Sequence, residues 1–134
     1  MYRYHPRKAP DPSLWLSLDE QEHVRLVESF HRGERERLPN IAAHSAFHAI
    51  VENQIAETLE AVIRAMARLQ KQGLSRHDAV HAVGWVVAMQ LYEGANASSK
   101  NEDYGADIQA TYVAAVERLD AKTWNEQAGA PSDG

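Results

Sequence analysis

The chain has 134 residues, a formal net charge of −5 and no cysteine. This length suits one domain with its own core, and the lack of cysteine excludes disulfide frameworks, thiolate metal sites and thiol nucleophiles. Any metal ion must therefore be held by nitrogen and oxygen. The negative charge argues against general nucleic-acid binding. The longest apolar run, over residues 82–89, is far shorter than the roughly 20 residues of a membrane-spanning helix.

The N-terminal segment, residues 1–13, carries three prolines and a group of basic side chains. Proline removes a backbone donor and fixes φ, so this composition predicts an extended arm rather than a helix. The segment lacks the apolar stretch of a secretory signal. We therefore expect a cytoplasmic protein of bacterial type that has no membrane association.

The first predicted helix covers about residues 18–32. Ser17 and Glu20 form a capping-box pattern, in which each residue satisfies a backbone donor of the other. Apolar side chains then recur at helical spacing until Gly33, which offers a stop.

A second apolar stripe runs from Asn40, a good N-cap, to Gly73. One helix of that length would be unusual in a small domain. We expect a break at residues 57–58, which gives helices over 41–56 and 59–72. The pattern does not exclude one continuous helix.

The last part of the chain predicts a central helix followed by shorter ones. Ser75 and Asp78 form another capping-box pattern, opening a helix over about residues 76–93 whose apolar side chains on all sides predict a buried position. A polar loop over residues 94–101 precedes a further helix, and Asp120 caps a final turn.

No segment alternates with a period of two and no internal repeat is present. The predicted fold is therefore all-α: an irregular bundle of about five to six helices in a single domain. Its expected limits are residues 14–127, with the extended arm before them and a disordered tail over 128–134.

The most informative feature is histidine placed one helical turn apart on two helices. At about 100° per residue, His44 and His48 lie about 40° apart on the core face of the second helix, with Glu52 at its edge. His77 and His81 repeat this spacing on the central helix. One helix can thus present two ligands to one ion while a facing helix completes the set.

If the two faces meet, four imidazoles and one or two carboxylates converge, a set that suits Zn, Fe, Mn, Ni or Co. Gly84 and Ala88 continue the face of His81 with small side chains that would allow close helix approach. We therefore predict a divalent transition-metal site, with Zn or Fe first and Mn or Ni as alternatives, for one ion or two. The predicted ligands are His44, His48, Glu52, His77 and His81.

Two further residues are candidates for the same site. His31 lies near the core face of the first helix and would serve as an additional ligand or support one. Asp78 is either a ligand or only the cap of its helix, and we favour the cap.

Three functional interpretations stay open. A site with an open position would suit metal-assisted hydrolysis or a non-haem iron reaction, so catalysis is undecided. Alternatively, the histidines are structural in an interaction or dimerisation module, whose surface would include Tyr104, Tyr112 and Trp124. Finally, residues 77–81 resemble the HExxH helix of zinc metallopeptidases, with Glu102 as third ligand. The shorter aspartate, the lack of a strand and the position at a helix start weigh against a peptidase.

Several segments together suggest a family. They are residues 15–31, 38–40, 44–56, 73–84 and 112–124. The chain resembles a bacterial family of small all-helical proteins, a domain of unknown function, with HxxxHxxxEN and RHExxHA segments. These patterns fall on residues 44–53 and 76–82. The resemblance implies that the positions belong together and carries no activity. Asp78 stands where the pattern has glutamate, which favours its role as a cap.

Overall fold

The computed structural model describes residues 3–33, 41–98 and 108–128. Within these ranges the chain forms seven helices and no strand, which confirms the predicted all-α fold of an irregular bundle. The helices are α1 (Pro12–Ser17), α2 (Glu20–Gly33), α3 (Ile41–Ala56), α4 (Glu60–Lys71), α5 (Arg76–Ser98), α6 (Ile108–Arg118) and α7 (Ala121–Ala128). None of the described helices combines the length and apolar character that crossing a membrane requires.

The short helix α1 is not predicted by the sequence. Asp11 caps it by accepting a hydrogen bond from the backbone nitrogen of Leu14 at 2.9 Å. Pro12 takes the first helical position, where a missing N–H costs nothing. The prolines that predicted an extended arm therefore also supply the start of a helix.

Helix α2 begins later than the sequence predicts, because its cap is Asp19 and not Ser17. The backbone nitrogen of Glu22 donates to Asp19 Oδ1 at 2.8 Å, and the backbone nitrogen of Asp19 donates to Glu22 Oε1 at 3.0 Å. This reciprocal pair is a capping box. It lies two residues beyond the predicted one.

The predicted break between α3 and α4 is confirmed. Thr58 has φ 58°, the left-handed conformation that ends a helix. The backbone nitrogen of Leu59 donates to the carbonyl of Gln54 at 2.9 Å, and that of Thr58 to Ile55 at 3.0 Å, as in a Schellman motif. Asn40, the predicted cap of α3, lies outside the described residues.

Helix α5 starts as predicted, since Ser75 Oγ accepts a hydrogen bond from the backbone nitrogen of Asp78 at 3.0 Å. It continues to Ser98, so the predicted loop is helical over residues 94–98, where two alanines favour helix. The rest of that loop, residues 99–101, lies outside the described ranges.

Helix α5 is the centre of the bundle and packs against α3, α4 and α6. Val80 and Val83 are fully buried in the core that these helices share. Trp85 and Met89 are each 37% exposed, so the helix is not buried on all sides as predicted. At the end of the chain Asp120 caps α7 as predicted, accepting from the backbone nitrogen of Thr123 at 2.7 Å. Residues 129–134 of the predicted disordered tail lie outside the described ranges.

Candidate metal centre

Three helices bring five histidines into one cluster. Helix α3 packs against both α2 and α5, so the face that carries its two histidines lies between them. The five rings are those of His31, His44, His48, His77 and His81. Four of them, His31, His44, His48 and His81, each offer a nitrogen within 4.8 Å of the others, an arrangement that could hold a metal ion.

The nitrogen atom at the centre of this group is His44 Nε2. It lies 3.2 Å from His31 Nε2 and 3.0 Å from His81 Nε2. With metal–nitrogen distances of about 2.0–2.1 Å, neighbouring ligand atoms lie about 3.3 Å apart in a tetrahedron and about 3.0 Å apart in an octahedron. These two distances therefore match the spacing of ligand atoms around one ion.

Hydrogen bonds between neutral rings account for both of these contacts only if one proton is shared. His31 Nδ1 lies 2.9 Å from the carbonyl of Val27 and must donate to it, so in a neutral ring its Nε2 carries a lone pair. His44 Nε2 carries either one proton or one lone pair. If His44 Nε2 is a donor, its single proton is shared between His31 Nε2 and His81 Nε2. If His44 Nε2 is an acceptor, its lone pair faces the lone pair of His31 Nε2. A metal ion between the rings would instead accept a lone pair from each of the three nitrogens.

His48 is oriented by Tyr4, which lies on the segment before α1. The Tyr4 hydroxyl donates its only proton to Glu52 Oε2 and must therefore accept from His48 Nε2, which lies 2.7 Å away. Burial raises the pKa of Tyr4 well above 10.0, and the charge of Glu52 raises it further, so this proton stays on the oxygen. His48 is thereby fixed with its lone pair on Nδ1, which is buried and has no hydrogen-bond partner.

Glu52 is bound to Arg76 and not to the group of four nitrogens. The guanidinium donates to Glu52 Oε2 at 2.7 Å and to Oε1 at 2.8 Å, a bidentate pair in which the glutamate side chain is fully buried. Arg76 also donates to the carbonyl of Pro6 at 2.7 Å. The predicted ligand Glu52 therefore contacts His48 only through Tyr4, whose hydroxyl donates a hydrogen bond to it.

His77 lies beside the group of four without belonging to it. Its ring centroid is 4.2 Å from that of His81 and 5.4 Å from that of His48, and its Nε2 is buried without a partner. Asp78 follows at the first turn of α5, where its backbone nitrogen is capped by Ser75. Glu102, the third ligand of the peptidase hypothesis, lies outside the described residues.

The sequence did not indicate the roles of Tyr4 and Arg76. Tyr4 is 44 positions from His48, so no local spacing connects them. Arg76 stands next to His77 in the RHD segment, which was the one available signal. Asn53, the residue after Glu52, accepts from Trp15 Nε1 at 2.7 Å.

Four histidines of this cluster have a lowered pKa, which favours their neutral form. Burial, and to a smaller extent the neighbouring histidines, lower the pKa of His44 to about 4, that of His77 to about 3 and that of His81 to about 2. Burial likewise lowers the pKa of His48 well below 6.5. Neutral imidazole is the form that binds a metal ion, so these rings need not lose a proton at neutral pH.

A cleft of about 250 Å³ leads to the cluster along the α3–α5 contact. Its lining residues are His44, Phe47, His48, Val80, His81, Gly84, Trp85, Ala88 and Trp124. Three histidines therefore form one part of the wall, while the rest is apolar. A larger depression of about 730 Å³ between α3, α4 and α6 has no histidine in its lining.

Comparison of the chain with models of protein families, with curated protein sequences and with solved structures finds no match. The resemblance to a bacterial family stays a prediction.

Proposed function

We propose that the protein binds one divalent transition-metal ion, zinc or iron, through His31, His44, His48 and His81. The observation that carries the proposal is the convergence of four ligand nitrogens within 4.8 Å. A set made only of imidazole nitrogen favours zinc, iron, cobalt or nickel over manganese, which prefers oxygen ligands. This set differs from the predicted ligands at two positions. His31 takes the place of His77, and Glu52 is not a ligand but accepts the hydrogen bond of Tyr4, which orients His48.

The hydrogen bonds behind the rings support this assignment. Histidines that ligate metals almost always donate their other ring N–H to a carbonyl, a carboxylate or a similar group, which fixes the tautomer and orients the ring. His31 donates to the carbonyl of Val27, and His48 donates to Tyr4. In both rings this donated N–H fixes the tautomer and the orientation of the ring, as it does in histidines that ligate metals.

The interaction-module hypothesis has less support from the structure. Tyr112 is only 8% exposed, and its hydroxyl donates to Gln54 at 2.6 Å, so it is not available as a surface contact. Trp124 is half-buried and lines the cleft. Tyr104 lies outside the described residues.

The first test is elemental analysis of protein purified without a histidine tag. We expect close to one equivalent of zinc or iron, and after chelation we expect calorimetry to show one zinc ion rebinding. Binding to the folded state alone should raise the unfolding temperature. Less than about a tenth of an equivalent of any transition metal, together with no thermal shift on adding zinc or iron(II), would overturn the proposal.

Alanine variants test which histidines are ligands. His31→Ala, His48→Ala and His81→Ala should each abolish stoichiometric zinc uptake, because each removes one of four ligand nitrogens. His77→Ala should keep it, since this ring lies beside the group. The exposed His5 supplies the control His5→Ala.

Circular dichroism would show that each variant remains helical. Full zinc occupancy in His31→Ala would show that this ring is not a ligand. Loss of zinc from a folded His77→Ala variant would show that the set of four is wrong.

A further inference from the structure

The cleft over the cluster has two chemically different parts. His44, His48 and His81 lie in its wall, so an ion held by them would be reached from this side. The rest of the lining is apolar and includes two tryptophans, Trp85 and Trp124, whose ring centroids are 6.3 Å apart. A ligand that fills the cleft therefore needs a polar head and an apolar body.

The charges around the cluster determine the sign of that head. Four neutral imidazoles would leave the two positive charges of a divalent ion uncompensated. Glu52 does not compensate them, because Arg76 neutralises it through a bidentate ion pair. Among the described residues, no carboxylate belongs to the group of converging ligand atoms. An uncompensated cation in a buried site attracts an anion strongly, because water screens it little.

The size of the cleft limits the body of the ligand. At about 30 Å³ for each water-sized group, a volume of about 250 Å³ holds about eight such groups. This corresponds to a six-carbon fatty acid or to benzoate. Phe47, Trp85 and Trp124 would flank such a body, and zinc can expand its coordination from four ligands to five to take the carboxylate.

We infer that the cleft binds a small organic monocarboxylate, whose carboxylate coordinates the metal ion and whose apolar body lies between Phe47, Trp85 and Trp124. This inference rests on the proposed metal site and names the class of ligand that the site accepts. It assigns a binding role to the exposed part of α5 around Trp85.

The test measures binding of benzoate and hexanoate to the zinc-loaded protein by calorimetry and by tryptophan fluorescence. Benzamide and hexanamide are the matched neutral probes. We expect saturable binding of at least one carboxylate to the zinc-loaded protein, with at least tenfold weaker binding of its amide and of the same carboxylate to the metal-free protein. Equal binding of acid and amide, or equal binding with and without zinc, would overturn the inference.

A variant that fills the cleft provides the second arm. Ala88→Leu adds side-chain volume to the apolar wall, away from the ligand nitrogens, and should weaken carboxylate binding at least tenfold while zinc uptake stays stoichiometric. Ala67→Leu makes the same change at an exposed position of α4 and should alter neither.

Zinc uptake is measured in every sample, which separates the two proposals. A protein that takes up no zinc contradicts the metal site itself. A zinc-loaded protein that binds neither carboxylate, or an Ala88→Leu variant with unchanged carboxylate affinity, contradicts only the inference about the cleft.

Discussion

The Tyr4 hydroxyl joins a buried carboxylate to a histidine of the proposed metal site. Its proton goes to Glu52 and its lone pair accepts from His48, so this single oxygen determines which nitrogen of His48 faces the cluster. Arg76 completes the chain by holding both oxygens of Glu52. The segment before α1 is therefore part of the site, although it contributes no ligand.

Tyr4→Phe tests this role, because it removes the oxygen and keeps the ring. His48 Nε2 loses its acceptor, so we expect zinc affinity to fall about 10- to 100-fold. Leaving a buried donor without a partner should also lower the free energy of unfolding by about 1–3 kcal/mol. Calorimetric zinc titration and urea unfolding measure the two effects.

The control is Tyr112→Phe, which removes a hydroxyl that donates to Gln54 far from the histidines. It should lower the free energy of unfolding by about 1 kcal/mol and leave zinc affinity unchanged. If Tyr4→Phe binds zinc as tightly as the unmodified protein, Tyr4 does not orient the site.

At the scale of helices, the features that the sequence predicted are those that depend on local spacing. The one-turn spacing predicted the shared face of His44 and His48, and the cap at Ser75 needed only its neighbours along the chain. Thr58 ends α3 in a left-handed conformation, which glycine adopts far more readily than threonine, so the pattern indicated the break without requiring it.

The features that were missed depend on how separate helices cross. Spacing within α5 places His77 and His81 on the same face, but only the crossing of α2, α3 and α5 decides that His81 and His31 converge. The partners of Glu52 come from positions 48 residues before it and 24 after it. No local periodicity predicts contacts of this range.

The contact between α3 and α5 gives a prediction at this scale. A Cβ atom added at Gly84 would lie 3.8 Å from its nearest neighbours in Phe47 and Val51, which is an ordinary van der Waals distance. Since alanine favours a helix interior over glycine by about 0.8–1.0 kcal/mol, Gly84→Ala should raise the free energy of unfolding by up to about 1 kcal/mol.

Gly84→Leu is the contrasting variant, because its side chain extends beyond the Cβ position, which already contacts Phe47 and Val51. Overpacking of this kind costs about 1–3 kcal/mol. Urea unfolding of both variants gives the comparison. If Gly84→Ala lowers stability, the two helices require glycine at their crossing.

For the molecule as a whole, the buried histidines link stability to pH. In the folded chain, burial lowers the pKa of His77 to about 3 and that of His81 to about 2, and His48 is shifted in the same direction. In the unfolded chain these residues titrate near their ordinary value of about 6.5. Below that pH the unfolded state binds more protons, so stability must fall as the pH falls.

The metal-free protein should therefore be most stable above about pH 7.5, where all these histidines are neutral in both states. Between pH 6.5 and 5 its unfolding temperature should fall by several degrees per pH unit, given about 1.4 kcal/mol per proton and pH unit. Thermal unfolding followed by circular dichroism across this range measures the slope.

Two variants test whether the buried histidines, and not the other titrating groups, cause the change of unfolding temperature with pH. His77→Leu removes one buried titrating ring and should make the slope shallower, whereas Ala67→Leu changes an exposed residue without a titrating group and should not change it. Zinc should raise the unfolding temperature most at neutral pH and progressively less below it, because protons then compete with the ion for the same nitrogens. A metal-free protein whose unfolding temperature stays constant from pH 7 to 5 would show that the rings take up protons in the folded state. In that case they would not form the dry, neutral ligand set on which the metal site depends.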